Sequence, residues 1–372
     1  MTDRLVILAA GGTGGHMFPA EAVARELLIR GWRVALITDR RGQAFTEKLP
    51  DVALYRIPTG RLGAGVVGKA MGIAEIMLGT LAAGRLLRGL RPAVAVGFGG
   101  YSSVPTMLAA TRQHIATVLH EQNALLGRAN RFLAPRVSRI ATSFATVQGV
   151  KTTEAARVVL TGNPVRSEVA AQRATPYPAT DSALRLLVTG GSQGARILST
   201  VIPAALARLP ADLKTRLKVM QQARPEDLEQ VRATHCQNGI DADVAPFFHD
   251  LAKRLAESHL VIARAGASTI AELCVVGRPA ILVPYAYAAD DHQSINARAL
   301  GDANAAWVMP ENAFTSEALA TQLQALMAAP SALAAAAAAA RHLGRPDAAE
   351  RLADLVIACA GANGDSATER AA

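Results

Sequence analysis

One pattern occurs twice in this chain and constrains its fold more than any other: a short apolar run that ends in a glycine-rich loop and continues into a helical stretch. The first copy runs from residues 5–10 through GGTGGH at 11–16 into a helical segment at 20–30. The second runs from 184–189 through GGSQGAR at 190–196 into a helical segment at 197–209. A strand, a glycine loop and a helix in that order open a βαβ unit. Two widely spaced copies therefore predict two Rossmann-like domains with parallel sheets, an α/β fold, rather than one large sheet.

The remainder of the sequence fits that division. Further strands are expected at 34–38, 93–96, 115–120 and 139–142 in the first half, and at 217–220, 244–247, 260–263 and 280–283 in the second. At 372 residues, with 51% hydrophobic but only 4% aromatic residues, the chain has the material for two cores of aliphatic strands covered by helices. Pro164, Pro176 and Pro178 interrupt ladders and helices in the segment 163–181 and mark the connection. The expected domains are residues 1–164, residues 165–345, and a C-terminal helix with a frayed tail at 346–372. The alanine run at 334–340 reads as a plain helix, because alanine has the highest helix propensity.

Cys236, Cys274 and Cys359 are odd in number and lack ligand spacing, which predicts neither a disulfide framework nor a zinc site. The apolar run at the N-terminus passes directly into the glycine loop and reads as a strand, not a signal segment. A formal net charge of +9 favours anionic partners. Lys and Arg are spread along the chain without interleaved aromatics, which argues against nucleic acid. No run of 18 apolar residues is present, so a spanning helix is not expected. The segment 66–87, interrupted by Lys69, Glu75 and Arg85 and followed by Arg88 and Arg91, is apolar around most of a helical wheel. Pattern alone favours a core helix, while the basic residues at intervals of three allow an acidic membrane surface, with Ile76, Met77 and Leu81 toward the lipid.

Several clusters have the composition of ligand sites. Glycines in the loop at 11–16 allow close backbone approach, and a helix N-terminus favours an anion. The loop fails as a dinucleotide fingerprint, because Met17 stands where a third glycine is required. His16 at its mouth is a candidate general base, although a lone histidine is more often structural. GGSQGAR adds Ser192 and Gln193 as polar groups for a phosphate. In RAGASTIAEL at 264–273, Glu272 is placed to accept ribose hydroxyls or to form a capping box with Ser268 or Thr269. HEQNALLGRANR at 120–131 and DDHQSINA at 290–297 gather further polar groups without a metal-binding arrangement. Asp241 and Asp243 form an Asp-x-Asp triplet that reads as a solvated polar loop.

In their order and spacing GGTGGHMFPA, GFGGYSS, HEQNALLGRANRFLA, GNPVR, GGSQGAR, RAGASTIAEL and ADDHQSINA resemble the inverting GT-B glycosyltransferases of family 28, over residues 5–300. The resemblance implies two Rossmann-like domains facing across a cleft. The implied reaction is transfer of N-acetylglucosamine from UDP-N-acetylglucosamine to the C4 hydroxyl of an undecaprenyl-diphosphate-linked N-acetylmuramyl-pentapeptide, a step of peptidoglycan synthesis at the cytoplasmic face of the inner membrane. It implies donor contacts from Thr13, Gly14, Gly15 and Asn123 on the N-terminal side. On the C-terminal side it implies contacts from Arg166, Ser192, Phe248, Ala267, Ser268, Thr269, Ile270, Ala271, Glu272 and Gln293. Within that set Glu272 matches the ribose acid, Ser192 and Thr269 the diphosphate contacts, Gln293 the sugar contact, and Phe248 a backbone contact to uracil. His16 matches the loop histidine near the acceptor. The resemblance implies no cofactor and no metal, peripheral attachment to acidic phospholipid, and partial exposure of the segment 66–91. His292 stands where some members carry a second glutamine, and Ala263 replaces a small polar residue. The rival reading with the same architecture and donor is a UDP-N-acetylglucosamine 2-epimerase. A nicotinamide oxidoreductase and a non-catalytic scaffold fit the loops less well.

Overall fold

The structure, a computed structural model, describes residues 4–11, 14–39, 49–60, 65–179, 183–191 and 194–369, with side chains described as far as Gly361. The chain forms two compact units, Met1–Arg166 with Asp347–Ala372, and Ser167–Pro346.

In the first unit the strands β1 (Leu5–Ala9), β2 (Arg33–Thr38), β3 (Ala53–Arg56), β4 (Val94–Gly97), β5 (Ala116–Glu121), β6 (Arg139–Thr142) and β7 (Val158–Leu160) lie in the order β3-β2-β1-β4-β5-β6-β7. Every pairing is parallel. Alternation along a strand sends successive side chains to opposite faces, and here both faces are covered. Val6 and Leu8 pack with Val23 and Leu27 of the helix Gly14–Ile29 and with Leu352 and Val356 of the helix Ala348–Glu369. Leu5, Ile7 and Ala9 pack on the other face with Ala83, Leu87, Met107 and Ala110. The C-terminal helix thus belongs to the core of the first unit, where Asp354 also pairs with Arg30. It is helical through Glu369.

The second unit repeats the plan. β8 (Leu184–Thr189), β9 (Leu217–Gln222), β10 (Asp241–Ala245), β11 (Leu260–Ala263), β12 (Ala280–Leu282) and β13 (Ala306–Val308) lie in the order β10-β9-β8-β11-β12-β13, again all parallel. In each sheet the first strand is central and the order reverses beside it, which is the switch point where such sheets bind ligands. Leu184, Leu186 and Val188 meet Leu198 and Ile202 of the helix Arg196–Ala207 and Leu319 and Leu323 of the helix Ser316–Ala328.

Three strands escaped the sequence reading: β3, β7 and β13 are edge strands of three or four residues, partly exposed and too short to stand out as apolar runs. The strand expected at 244–247 begins earlier, so Asp241 and Asp243 sit on the edge strand β10 and not in a loop. Asp243 is held there by Arg254 at 2.6 Å.

The helix Gly65–Leu90 is long and apolar enough to cross a membrane by length and composition alone. One face is nevertheless docked on the domain through glycines. A Cβ on Gly79 would lie 2.1 Å from the Pro58 carbonyl oxygen and 3.2 Å from Pro105 Cβ, and a Cβ on Gly60 would lie 2.2 Å from the Gly72 carbonyl oxygen. Gly84 accepts a hydrogen bond from Gln113 Nε2 at 2.8 Å. The opposite face carries Val66, Val67, Met71, Ile73, Met77, Leu78 and Leu81, each between 52% and 85% exposed. Ile76, expected among the lipid-facing residues, instead packs partly buried against the core.

Candidate active site

The first constellation is built from three segments of the first unit that converge on His16. β1 delivers the chain to Gly11, whose Cβ, were there one, would meet Ser102 Oγ at 2.6 Å. The backbone of Gly11 therefore packs directly against the Ser102 side chain of the GFGGYSS segment. Gly14 and Gly15 form the first turn of the helix Gly14–Ile29, with His16 on the next residue. Gly99 and Gly100 turn with φ of +85° and +72°, values that glycine adopts without strain. The imidazole of His16 lies on that turn, 3.4 Å from where a Cβ of either glycine would be.

The third segment follows β5. Gln122 is buried and its amide bridges two histidines: Oε1 lies 3.2 Å from His16 Nδ1, and Nε2 lies 3.0 Å from His120 Nδ1, 3.0 Å from the Phe98 carbonyl and 3.2 Å from the His120 carbonyl. His120 is wholly buried, in edge contact with the Phe98 ring, and its Nε2 is 3.0 Å from the Gly162 carbonyl. Burial pushes its pKa down to about 4, partly opposed by the bond to Gly162, so the ring is neutral at physiological pH. The neighbouring Glu121 is also buried and takes four donors. Oε1 accepts from Asn123 N–H at 3.0 Å and Asn123 Nδ2 at 3.2 Å, while Oε2 accepts from Gly127 N–H and Asn130 Nδ2, both at 2.8 Å. This carboxylate fixes the loop that carries Asn123. Arg166 belongs to the first unit, not to the C-terminal side as expected, and its guanidinium carbon stands 5.4 Å from the Phe18 ring centroid. Thr13 lies outside the described residues.

The second constellation lies in the second unit. A Cβ on Gly190 would be 2.5 Å from the Ala195 nitrogen, so the loop after β8 closes on itself. Gln222 at the end of β9 staples it: Oε1 accepts from Thr189 Oγ1 at 2.9 Å and Gly190 N–H at 3.3 Å, and Nε2 donates to the Gly191 carbonyl at 3.1 Å. Ser192 lies outside the described residues. After β11 the helix Ala267–Val276 starts from Gly266 with no side-chain cap, which removes the expected cap by Ser268 or Thr269. Ser268 Oγ is buried without a protein partner, so the helix N-terminus presents both its dipole and an unsatisfied hydroxyl. Ile270 is buried, whereas Thr269, Ala271 and Glu272 are partly exposed along the first turns.

Gln293 follows the turn at Asp290 and Asp291, both at positive φ, and its Oε1 accepts from Tyr285 N–H at 3.0 Å. That bond leaves the NH2 end as the part suited to a ligand oxygen. The His292 ring bonds back to the Ala289 carbonyl at 2.8 Å. Phe248 is buried, with the Arg254 guanidinium carbon 4.1 Å from its ring centroid. Arg264 pairs with Glu311 at 2.5 Å and binds the Val283 and Pro284 carbonyls, which ties the segment after β11 to that after β12. Among the described residues no cluster of His, Cys, Asp and Glu could hold a metal ion. Gln122 and Gln222 were not singled out by sequence reasoning, since glutamines at strand ends are recognisable as struts only once their distant partners are placed.

Two parallel sheets with the same strand order, each ending in a glycine-turned helix start, define the GT-B class of nucleotide-sugar transferases. The glycosyltransferase family 28 N-terminal domain matches residues 6–142 and the glycosyltransferase family 28 C-terminal domain matches residues 185–352. The chain belongs to glycosyltransferase family 28. It is 55% identical over 363 residues to the UDP-N-acetylglucosamine--N-acetylmuramyl-(pentapeptide) pyrophosphoryl-undecaprenol N-acetylglucosamine transferase of Rhodospirillum centenum, covering 97% of this chain and 96% of the relative. The transferase of the same name from Rhodospirillum rubrum is 54% identical, with 95% and 92% covered. Among solved structures, MurG of Acinetobacter baumannii superposes with a TM-score of 0.79 at 30% identity, covering 95% of this chain and 99% of that one. A UDP-GlcNAc 2-epimerase from Neisseria meningitidis superposes with a TM-score of 0.65 at 11% identity, a likeness of fold alone.

Proposed function

We infer that this chain transfers N-acetylglucosamine from UDP-N-acetylglucosamine to N-acetylmuramyl-(pentapeptide) pyrophosphoryl-undecaprenol, as its relatives are named for doing. The observation that carries the reading is identity above 50% along almost the whole chain to transferases of that name, and the uncapped N-terminus of the helix Ala267–Val276 is of the kind that suits an anion. The distant epimerase likeness reflects shared architecture alone.

In the mechanism the acceptor's C4 hydroxyl loses its proton to His16 and attacks the anomeric carbon. The new glycosidic C–O bond forms as the bond to the diphosphate breaks, UDP leaves with the electron pair, and the anomeric centre inverts. The donor's diphosphate is held by Ser192, Thr269 and the N-terminus of the helix Ala267–Val276, with Arg166 offsetting charge on the leaving group. Glu272 takes the ribose hydroxyls, Gln293 donates to the sugar, the Phe248 backbone serves uracil, and Ala267, Ser268, Ile270 and Ala271 line the same helix start. Thr13, Gly14, Gly15 and Asn123 contact the donor from the first domain. The exposed apolar face of the helix Gly65–Leu90, with Arg85, Arg88 and Arg91 at one end, rests on acidic phospholipid at the cytoplasmic face of the inner membrane, where the acceptor's lipid tail is anchored.

Incubation with labelled UDP-N-acetylglucosamine and a muramyl-pentapeptide lipid is expected to give a labelled disaccharide lipid and UDP. Free N-acetylmannosamine in its place would assign the chain to the epimerases. His16→Ala is expected to slow turnover about a hundredfold or more while UDP binding is retained. Equal losses of both would take His16 out of the base role.

A further inference from the structure

We propose that Gln122 is a positioning residue that fixes His16 in the tautomer protonated at Nδ1, so that Nε2 carries the lone pair that accepts the acceptor's proton. The proposal rests on the assignment of His16 as base. The direction of each hydrogen bond follows from chemistry that has no second solution. The Phe98 and His120 carbonyls are acceptors only, and both lie within 3.2 Å of one end of the Gln122 amide. That end is the NH2 group. Oε1 therefore faces His16, and an oxygen acceptor 3.2 Å from Nδ1 requires the proton on Nδ1.

The relay continues inward with the same certainty of sign. The Gly162 carbonyl, 3.0 Å from His120 Nε2, requires the proton of that ring on Nε2, which leaves His120 Nδ1 to accept from Gln122. Burial keeps His120 neutral, so it does not turn into a competing donor at that position. A backbone carbonyl at Gly162 thus dictates the tautomer of His120, His120 helps to dictate the orientation of the Gln122 amide, and Gln122 dictates the tautomer of His16. The His16 ring lies over the Gly99–Gly100 turn, where a side chain on either residue would press against it. Once Nε2 has taken the proton, Oε1 still accepts from Nδ1–H and stabilises the imidazolium, which is the part a third group plays behind a general base.

The test uses the full chain labelled with 15N-histidine, with the resonances of His16 identified by their loss in His16→Gln. In the unsubstituted protein at neutral pH, long-range 1H–15N correlations are expected to show a protonated Nδ1 and an unprotonated Nε2 on His16. A protonated Nε2 in that spectrum overturns the proposal without any variant having to fold. Gln122→Met keeps the length of the side chain and removes both hydrogen-bonding ends. It is expected to shift His16 toward the Nε2-protonated form and to lower kcat about tenfold or more, with little change in the KM for the nucleotide-sugar. An unchanged His16 tautomer in Gln122→Met also overturns it. Full activity of His16→Ala, by contrast, removes the base assignment and leaves the tautomer result intact, so the two failures are distinct.

Discussion

Single atoms decide much of this protein's behaviour at the sites. A Cβ on Gly190 would fall 2.5 Å from the Ala195 nitrogen and 2.6 Å from the Gly194 carbonyl carbon, and backbone atoms cannot step aside as a side-chain end can. Gly190→Ala is therefore expected to raise the donor KM and to lower stability by more than about 1 kcal/mol, read by kinetics and by denaturant unfolding. Glu272→Gln keeps the shape but removes a charged acceptor, and about a tenfold weaker donor affinity is expected in a binding titration. Arg278 shows the same economy of position in a structural setting. It is 1% exposed and donates to the Ala256, Val276, Gly277 and Pro176 carbonyls, with no carboxylate partner among the described residues, and burial brings its pKa down to about 10. Two of those carbonyls belong to the C-terminal end of the helix Ala267–Val276, where the dipole favours a cation. Arg278→Met would strand these acceptors in the interior and is expected to destabilise the second domain by roughly 3 kcal/mol.

Secondary-structure elements divide into those that announce themselves and those that do not. β1, β4, β5 and β11 are buried along their whole length, and their positions are legible in the sequence within a residue or two. β3 and β13 lie at sheet edges and carry exposed positions, which dilutes the apolar signal. The same physics separates the site residues. Glycine loops are local and show in the sequence, whereas the Gln122 contact with His16 spans 106 positions and the Gln222 contact with Thr189 spans 33, so neither pairing is visible before folding. The helix Gly65–Leu90 is the ambiguous case: its wheel fits both a core helix and a membrane helix, and its glycines settle which face docks. Replacing Arg85 and Arg88 by Gln is expected to weaken sedimentation with acidic vesicles roughly fivefold for each charge. Thermal stability should hardly move, since both side chains are exposed. Unchanged vesicle binding would deny this helix its lipid role.

For the molecule as a whole, two buried histidines make stability depend on pH on the acid side. His120 and His235 both have pKa values lowered from 6.5 to about 4 by burial, so the folded state binds fewer protons than the unfolded chain across that interval. Their contribution to stability is accordingly fullest above pH 6.5, falls as pH drops toward 4, and levels off below it. A fully buried ring accounts for roughly 3 kcal/mol of that fall. His235 Nε2 donates to Gln221 Oε1 at 2.9 Å, a bond that a glutamine can imitate. His235→Gln should flatten the slope of melting temperature against pH between 6.5 and 4, and an unaltered slope would show that this ring is not the titrating group. The route of the chain has a consequence for biogenesis. It leaves the first domain at Arg166 and comes back at Asp347. During translation, one side of the first sheet must wait for Leu352 and Val356 while the entire second domain is made. A ribosome-stalled fragment ending near residue 346 should be a chaperone client, with its second domain already protease-resistant and its first still open to attack.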